Sequence, residues 1–210
     1  MPGSTGARAA PRLCARFRLM ADALTRRNAL VVLGFGGLAL TAGMREARAT
    51  TALAVSLDEL VSRSRGIFFG RPLDAHSRWE DVGGGRRIVT YTRVEVEEPL
   101  EGELDSEYLV RTLGGKVGDI GQIVHGEALL RVGEDNLLFL RKTRDGAHVV
   151  TARAQGQYPL MDDDRGTRRL SRSPRVAHLV NEENSAAHVL VGRTTSEARR
   201  LVLDALGKSE

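Results

Sequence analysis

At 210 residues the chain is sized for one ordinary domain, and its 31 Lys and Arg against 27 Asp and Glu read as mildly basic. The surplus sits at one end: residues 1–49 hold eight arginines against Asp22 and Glu46, which leaves 23 basic and 25 acidic side chains in the other 161 residues. A net charge of −2 there gives no electrostatic case for nucleic acid or an anionic membrane as partner, and the single cysteine, Cys14, excludes a disulfide, a thiol nucleophile or a cysteine zinc site further along.

The uncharged run over residues 29–42 follows Arg26 and Arg27 and precedes Ala47-Arg48-Ala49. Basic, apolar, then small-x-small is the layout of a cleavable signal peptide, and the run is shorter than the roughly 18 residues that a spanning helix needs. Cleavage after Ala49 is expected, with Ala52-Leu53-Ala54 as a second small-x-small site that would start the mature chain at Val55. Thr25-Arg26-Arg27-Asn28-Ala29-Leu30 resembles the twin-arginine export motif, which is favoured over general secretion. Met20 opens a leader of ordinary length and is an alternative true start. No cysteine follows the apolar run, so the mature chain is expected in the periplasm or outside the cell, without a lipid or other stable membrane anchor.

Ser56-Leu57-Asp58-Glu59 is a capping-box arrangement and predicts a short helix through about Arg65. The period then changes to two at Ile67, Phe69, Arg71 and Leu73, a strand that extends past Trp79. Three glycines, 83–85, predict a reversal into a strand over 87–97, with Ile88, Thr90, Thr92, Val94 and Val96 inward and Val89, Tyr91, Arg93, Glu95 and Glu97 outward. Pro99 and Gly102 are expected to end it, before a third strand over 108–113. Five glycines between 114 and 126 predict a sharply turning, folded segment. Leu137-Leu138-Phe139-Leu140 is apolar on both faces and reads as a central strand; Asp145-Gly146 predicts a hairpin into a returning strand over 148–153.

Beyond Tyr158 the composition turns to Asp162-Asp163-Asp164 and an arginine-rich stretch. A peripheral hairpin is expected from 175–180 and 188–191 about a polar turn at 181–185, and Thr194-Thr195-Ser196-Glu197 predicts a terminal helix with Ala198, Leu201, Val202 and Ala205 on one face. The organisation is therefore a signal peptide over 1–49, a β domain over 50–157 and a C-terminal extension over 158–210.

Chemistry is harder to find. His76, His125, His148, His178 and His188 form neither His-x-x-x-His nor His-Glu-x-x-His, so no metal site is expected. His125-Gly126-Glu127 mimics the His-x-Glu of zinc deaminases, but the cysteine pair they require is missing. There is no Gly-x-Ser-x-Gly and no Ser-x-x-Lys, and the glycines about Lys116 are wrongly spaced for a P-loop. The three aspartates lack EF-hand spacing and read as a solvated turn, and Glu95, Glu97, Glu98, Glu101 and Glu103 read as a charged strand edge. Tyr91 and Tyr108 with Arg93 and Arg111 could mimic a nucleic-acid-binding face, but cross-strand packing is the simpler reading.

The order Ile67-Phe68-Phe69-Gly70, Val94-Glu95-Val96-Glu97-Glu98-Pro99-Leu100-Glu101-Gly102, Gly114-Gly115-Lys116-Val117-Gly118, Gly133-Glu134, Leu137-Leu138-Phe139-Leu140 and Ala154-Gln155-Gly156 resembles a widespread, largely uncharacterised group of exported bacterial proteins. More distantly it is similar to the netrin-like domain of the tissue inhibitors of metalloproteinases. The strand pattern by itself predicts a mainly β fold, a single small barrel or sandwich of five strands, with a short helix before it and a C-terminal helix; the resemblance covers about residues 60–157 and implies an OB-like five-stranded barrel. Those inhibitors grip a catalytic zinc through an amino-terminal cysteine, which the mature chain lacks, so no functional residue carries over.

The reading is an exported, non-enzymatic β-barrel binding module for a protein or envelope ligand, without cofactor or nucleic acid, that meets the export machinery through its leader. The alternative is an exported hydrolase with a nonstandard active site. The residues singled out are the leader's Arg26, Arg27, Ala47 and Ala49; no catalytic, cofactor or metal residue is assigned.

Overall fold

The computed structural model describes residues 51–102 and 105–208. The leader residues Arg26, Arg27, Ala47 and Ala49, with Cys14 and Met20, lie outside the described residues.

Strand β1 (Thr51–Leu53) leads into helix α1 (Leu57–Ser62), where the Ser56 hydroxyl accepts the Glu59 N–H at 3.2 Å and ties the first turn as the capping pattern predicts. Strands β2 (Gly66–Val82) and β3 (Gly85–Glu101) form a hairpin with 17 residues on each arm, turned on Gly83 and Gly84 at φ of 64° and 80°. β4 (Glu107–Leu113) lies against β3; β5 (Gly115–Val117) and β6 (Ile120–Gln122) make a small separate hairpin. β7 (Asn136–Lys142) turns at Asp145-Gly146 into β8 (His148–Val150), and a 3₁₀ turn (Arg153–Gly156) leads to β9 (Gln157–Asp162). β10 (Arg168–Leu170), β11 (His178–Val180), a second 3₁₀ turn (Glu182–Asn184) and helices α2 (Ala186–Leu190) and α3 (Thr195–Ala205) complete the chain.

The described residues are mainly β, with one large mixed sheet in the order β10-β9-β7-β2-β3-β4-β8 and three short helices among them. β8 also pairs with β7, so the pairings β2–β3–β4–β8–β7–β2 return on themselves; all are antiparallel except β4 with β8, joined at Val110 and His148.

The strands of this circuit feed two cores. Phe68, Val94, Tyr108, Val110, Leu138, Leu140 and Val150 share one; Ile67, Phe69, Leu137 and Phe139 point the other way and meet Leu60, Tyr158, Leu190 and Val202 from the helices and β9. That explains the unalternating run in β7. Its second face is not wet because α1, α2 and α3 cover it. The first arm extends past Trp79 as expected, while the second outruns its expected span at both ends; the prolines are tolerated because they sit where only one neighbour remains. Pro72 lies past Gly70, the last β2 residue paired with β7; Pro99 lies past Glu95, the last β3 residue opposite β4.

The expected C-terminal hairpin is replaced by a different arrangement. β11 pairs in parallel with β1, and residues 188–190 are helical because the Ser185 hydroxyl caps α2 by accepting the His188 N–H at 3.1 Å. The hairpin of this region is β9–β10, whose turn Asp163 holds by accepting the N–H groups of Arg165 and Thr167, both at 2.9 Å. The α3 capping box forms as expected, with Thr194 and Glu197 bonded reciprocally.

Candidate functional site

A concave feature of the described residues lies beside the first strand. It is a cleft of about 570 Å³ between β1, the end of α1, the end of β7 and the turn after β8. Val55, Ala152, Ala154 and Val176 give it an apolar floor, and Arg63, Arg141, Arg153 and His125 bring cationic or polar groups to it.

The turn is built around Thr151, buried at the end of β8. Its N–H donates to the Phe139 carbonyl at 2.7 Å, and its hydroxyl lies 2.9 Å from that of Ser64. The chain then reverses so tightly that Ala152 and Arg153 both take left-handed backbone, with φ of 53° and 58°. Two consecutive residues with a Cβ in that region cost on the order of 1–3 kcal/mol each and persist only where the surroundings enforce them. The enforcement is visible here: the Ala154 N–H donates to the Gly126 carbonyl at 3.0 Å, and Gly156 packs directly on the Thr151 carbonyl.

Gln155 then clasps the first strand. Its Oε1 accepts the Val55 N–H at 2.9 Å and its Nε2 donates to the Leu53 carbonyl at 3.0 Å, the pair of bonds that a neighbouring strand would otherwise make. The 126–130 segment on the far side is fixed by Gln157, fully buried. Its amide donates to the Leu129 carbonyl and to Asn136 Oδ1, at 2.6 and 3.0 Å, and accepts from the Leu129 N–H and Ser173 Oγ, at 2.9 and 2.8 Å.

Behind Arg153 lies Glu127, 5% exposed, with its carboxylate 4.0 Å from the Arg153 guanidinium. A smaller recess of about 180 Å³ holds Glu127 and shares Arg141 and Arg153 with the main cleft. Burial pushes the Glu127 carboxyl above its ordinary value, against the opposing pull of Arg153, the Ala128 N–H, Arg141 and Arg175. The folded chain therefore holds this proton more tightly than the unfolded chain does. The associated stability is complete below the ordinary value of 4.5 and is lost as pH rises through the higher folded-state value. Glu127→Gln is expected to flatten the fall in unfolding free energy between the ordinary value and the higher folded-state one, read from urea denaturation across the pH range; an unchanged slope would show that Glu127 ionises as freely as in the unfolded chain.

The outer face of β3 and β4 is occupied differently. Arg111 bonds Asp145 at 2.6 Å and Glu80 at 3.2 Å, the Tyr91 hydroxyl donates to Glu80, and the Arg78 guanidinium lies 4.5 Å from the Tyr91 ring centre. The Arg111 bond draws Asp145 down to about 2, and Arg93 is held by Asp74 at 2.5 Å. Tyr108 does not join this group: it is buried on the opposite face, stacked on Phe68 at 5.5 Å and edge-on to His148 at 4.9 Å. The Tyr91, Tyr108, Arg93 and Arg111 quartet is thus split by strand alternation, and its arginines are engaged by carboxylates.

The acidic run is used in part to hold the C-terminal segment, with Glu98 on Arg199 of α3 at 3.3 Å and Glu101 on Lys208 just past it. Of the five histidines, only His125 reaches the cleft. The described serines with side-chain partners bond Thr90, Thr151, Thr194 and Gln157. Arg63, Arg141, Arg153 and Gln155 carried no motif. The Ala154-Gln155-Gly156 triplet was the nearest available signal, while the left-handed turn that presents Arg153 has no glycine to announce it. Among the described residues, no group of three or more His, Cys, Asp or Glu is placed to hold a metal, and no helix is long and apolar enough to cross a membrane. Comparison with protein-family models and with curated proteins gives no match.

Proposed function

We propose that the protein is an exported, non-enzymatic binding module built on an OB-like five-stranded barrel, and that it receives a protein or envelope ligand in the cleft between β1 and the 151–156 turn. The observation that carries the reading is the cleft itself. Two strained residues and a clasping glutamine hold its walls in a fixed shape, and binding sites are commonly concave, preformed and mostly apolar with a few placed polar groups. The barrel reading is supported by the closed circuit of pairings, with the first, second, third and fifth strands of the circuit joined as such barrels require and a parallel contact between the third and fifth.

The binding test follows amide shifts at Leu53–Val55 and Ala152–Gln155 by NMR while peptidoglycan fragments, anionic and zwitterionic lipids and short peptides are titrated into the protein. Localised, saturable shifts are expected from at least one class; none from any class would overturn the reading.

Export is the other half of the proposal. Cleavage after Ala49 keeps β1, whose backbone is held by β11 and Gln155, whereas cleavage after Ala54 would remove it; this supports the earlier site. Amino-terminal sequencing of exported material is expected to begin at Thr50, and replacing Arg26 and Arg27 by Lys is expected to abolish export by the twin-arginine route. Intact leader on protein recovered from the cytoplasm would sink this half; export that survives the replacement would instead identify general secretion.

A further inference from the structure

The charges around the cleft carry the reading one step further. Residues 50–210 are net acidic, and on the outer sheet face the arginines are consumed by carboxylates: Arg78 by Glu80, Arg93 by Asp74, Arg111 by Asp145. The cleft does not follow that pattern. Arg141 has no carboxylate within 4 Å among the described residues, and it lines both the main cleft and the recess behind it. Arg153 has only Glu127, at the outer limit of an ion pair, and is itself 62% exposed. Arg63 is paired with Glu59 one helical turn away, but both partners are largely in water, where such pairs contribute a few tenths of a kcal/mol and exchange readily.

Three guanidinium groups therefore border one hollow whose floor is made of short apolar side chains, and His125 adds a fourth nitrogen-bearing group. Guanidinium presents fixed forks of donors that match oxyanions, and the binding strengthens where an apolar wall limits water. The backbone adds a reason that this is built and not incidental. The left-handed conformation at Ala152 and Arg153 is an energetically costly way to turn a chain, and Arg153 is the side chain it presents at the cleft.

We propose that the cleft binds a ligand with an oxyanion head and a short apolar stem, the head on Arg63, Arg141 and Arg153 and the stem on Val55, Ala152 and Val176. This rests on the binding-module reading and specifies its ligand. The shared chemistry is a phosphate ester, and its two sources, free in the surrounding medium or carried as a lipid headgroup, are separated by the test.

The test uses the full chain with hexyl phosphate, and with hexanol as its uncharged counterpart. Calorimetric titration and amide NMR are expected to show hexyl phosphate binding with shifts at Leu53–Val55 and Ala152–Gln155, an affinity at least about tenfold above that of hexanol, and weakening with added salt. Arg141→Gln changes an exposed side chain at a strand end, and Arg63→Gln an exposed one just past α1, so both are expected to fold; each should weaken hexyl phosphate by about tenfold or more and leave hexanol unchanged. Vesicles of phosphatidylglycerol against phosphatidylcholine separate the sources: Arg141-dependent binding to the former marks a lipid-borne ligand, and hexyl phosphate binding without vesicle binding marks a free one. Hexanol binding at the same amides as tightly as hexyl phosphate would overturn the oxyanion proposal while leaving a binding cleft in place. Hexyl phosphate affinity indifferent to both arginine substitutions would overturn it too, as would no shifts from either probe, whereas the binding-module reading falls only if the peptides, peptidoglycan fragments and lipids are silent as well.

Discussion

Phe139→Ala is expected to destabilise the protein by about 3–5 kcal/mol and Leu138→Ala by about 2–5, whereas Glu95→Ala should change stability by less than about 0.5. The two neighbours fail for separate reasons. Phe139 is fully buried among the residues that join the sheet to the helices, with its ring edge-on to Tyr158 at 6.1 Å between centres; losing it opens a cavity beneath α1 and α2. Leu138, also at 0% exposure, points into the core enclosed by the strand circuit, against Phe68 and Val94. Glu95 is exposed on β3 and leaves no void. Because the cores lie on opposite faces of one strand, the Phe139→Ala and Leu138→Ala losses should add nearly in full in the double variant, unlike two truncations within one core. Urea denaturation of the three single variants decides the matter: a midpoint unchanged by either core truncation would mean that β7 is peripheral.

Gly156→Ala is expected to cost about 3 kcal/mol or more for a single added methyl group. A Cβ at this position would collide with the Thr151 carbonyl oxygen and stand 3.1 Å from both the Thr151 carbonyl carbon and Val150 Cγ1, so backbone must move. The strain has no soft outlet. Thr151 is tied to β7 through the Phe139 carbonyl, and Ala152 and Arg153 already hold left-handed conformations. Gly85→Ala provides the contrast, since nothing lies within 4 Å of its added Cβ and its φ is not positive; its stability should stay within about 0.5 kcal/mol of the parent. Equal midpoints for the two alanine variants would show that the 151–156 turn relaxes freely.

The strands were legible where the pattern was local. Alternation in 87–97 correctly separates buried Val94 from exposed Glu95, and the glycines at 83–84 and Asp145-Gly146 mark real reversals. The unbroken apolar run at 137–140 reads correctly as a strand covered on both faces, but the run cannot say what covers the second face. That cover comes from α1 and from residues beyond 158, where the Thr194 capping pattern announces α3 but the arginine-rich, weakly periodic stretch before it gives little hint of α2. His188 to Val191 misleads because a short apolar run suits a strand as well as a helix; the Ser185 cap decides it, and a lone serine is a weak signal. The cleft was the least legible part. Arg63, Arg141 and Arg153 are 78 and 12 residues apart in turn, so only tertiary structure brings them to one hollow.

The parallel pairing of β1 with β11 has a kinetic consequence. It joins Thr51, Ala52 and Leu53 to His178, Leu179 and Val180, whereas the β2–β3 hairpin closes over two glycines. Closing so long a loop is entropically costly until the intervening strands have shortened it, so the long hairpin is expected to be in place first and the clasp on the amino-terminal strand last. Interactions formed after the folding barrier set the rate of unfolding more than the rate of folding. The first strand and the Gln155 amide that grips it thus act as a latch on the finished molecule: they contribute little to the speed of its assembly and much to its lifetime once assembled.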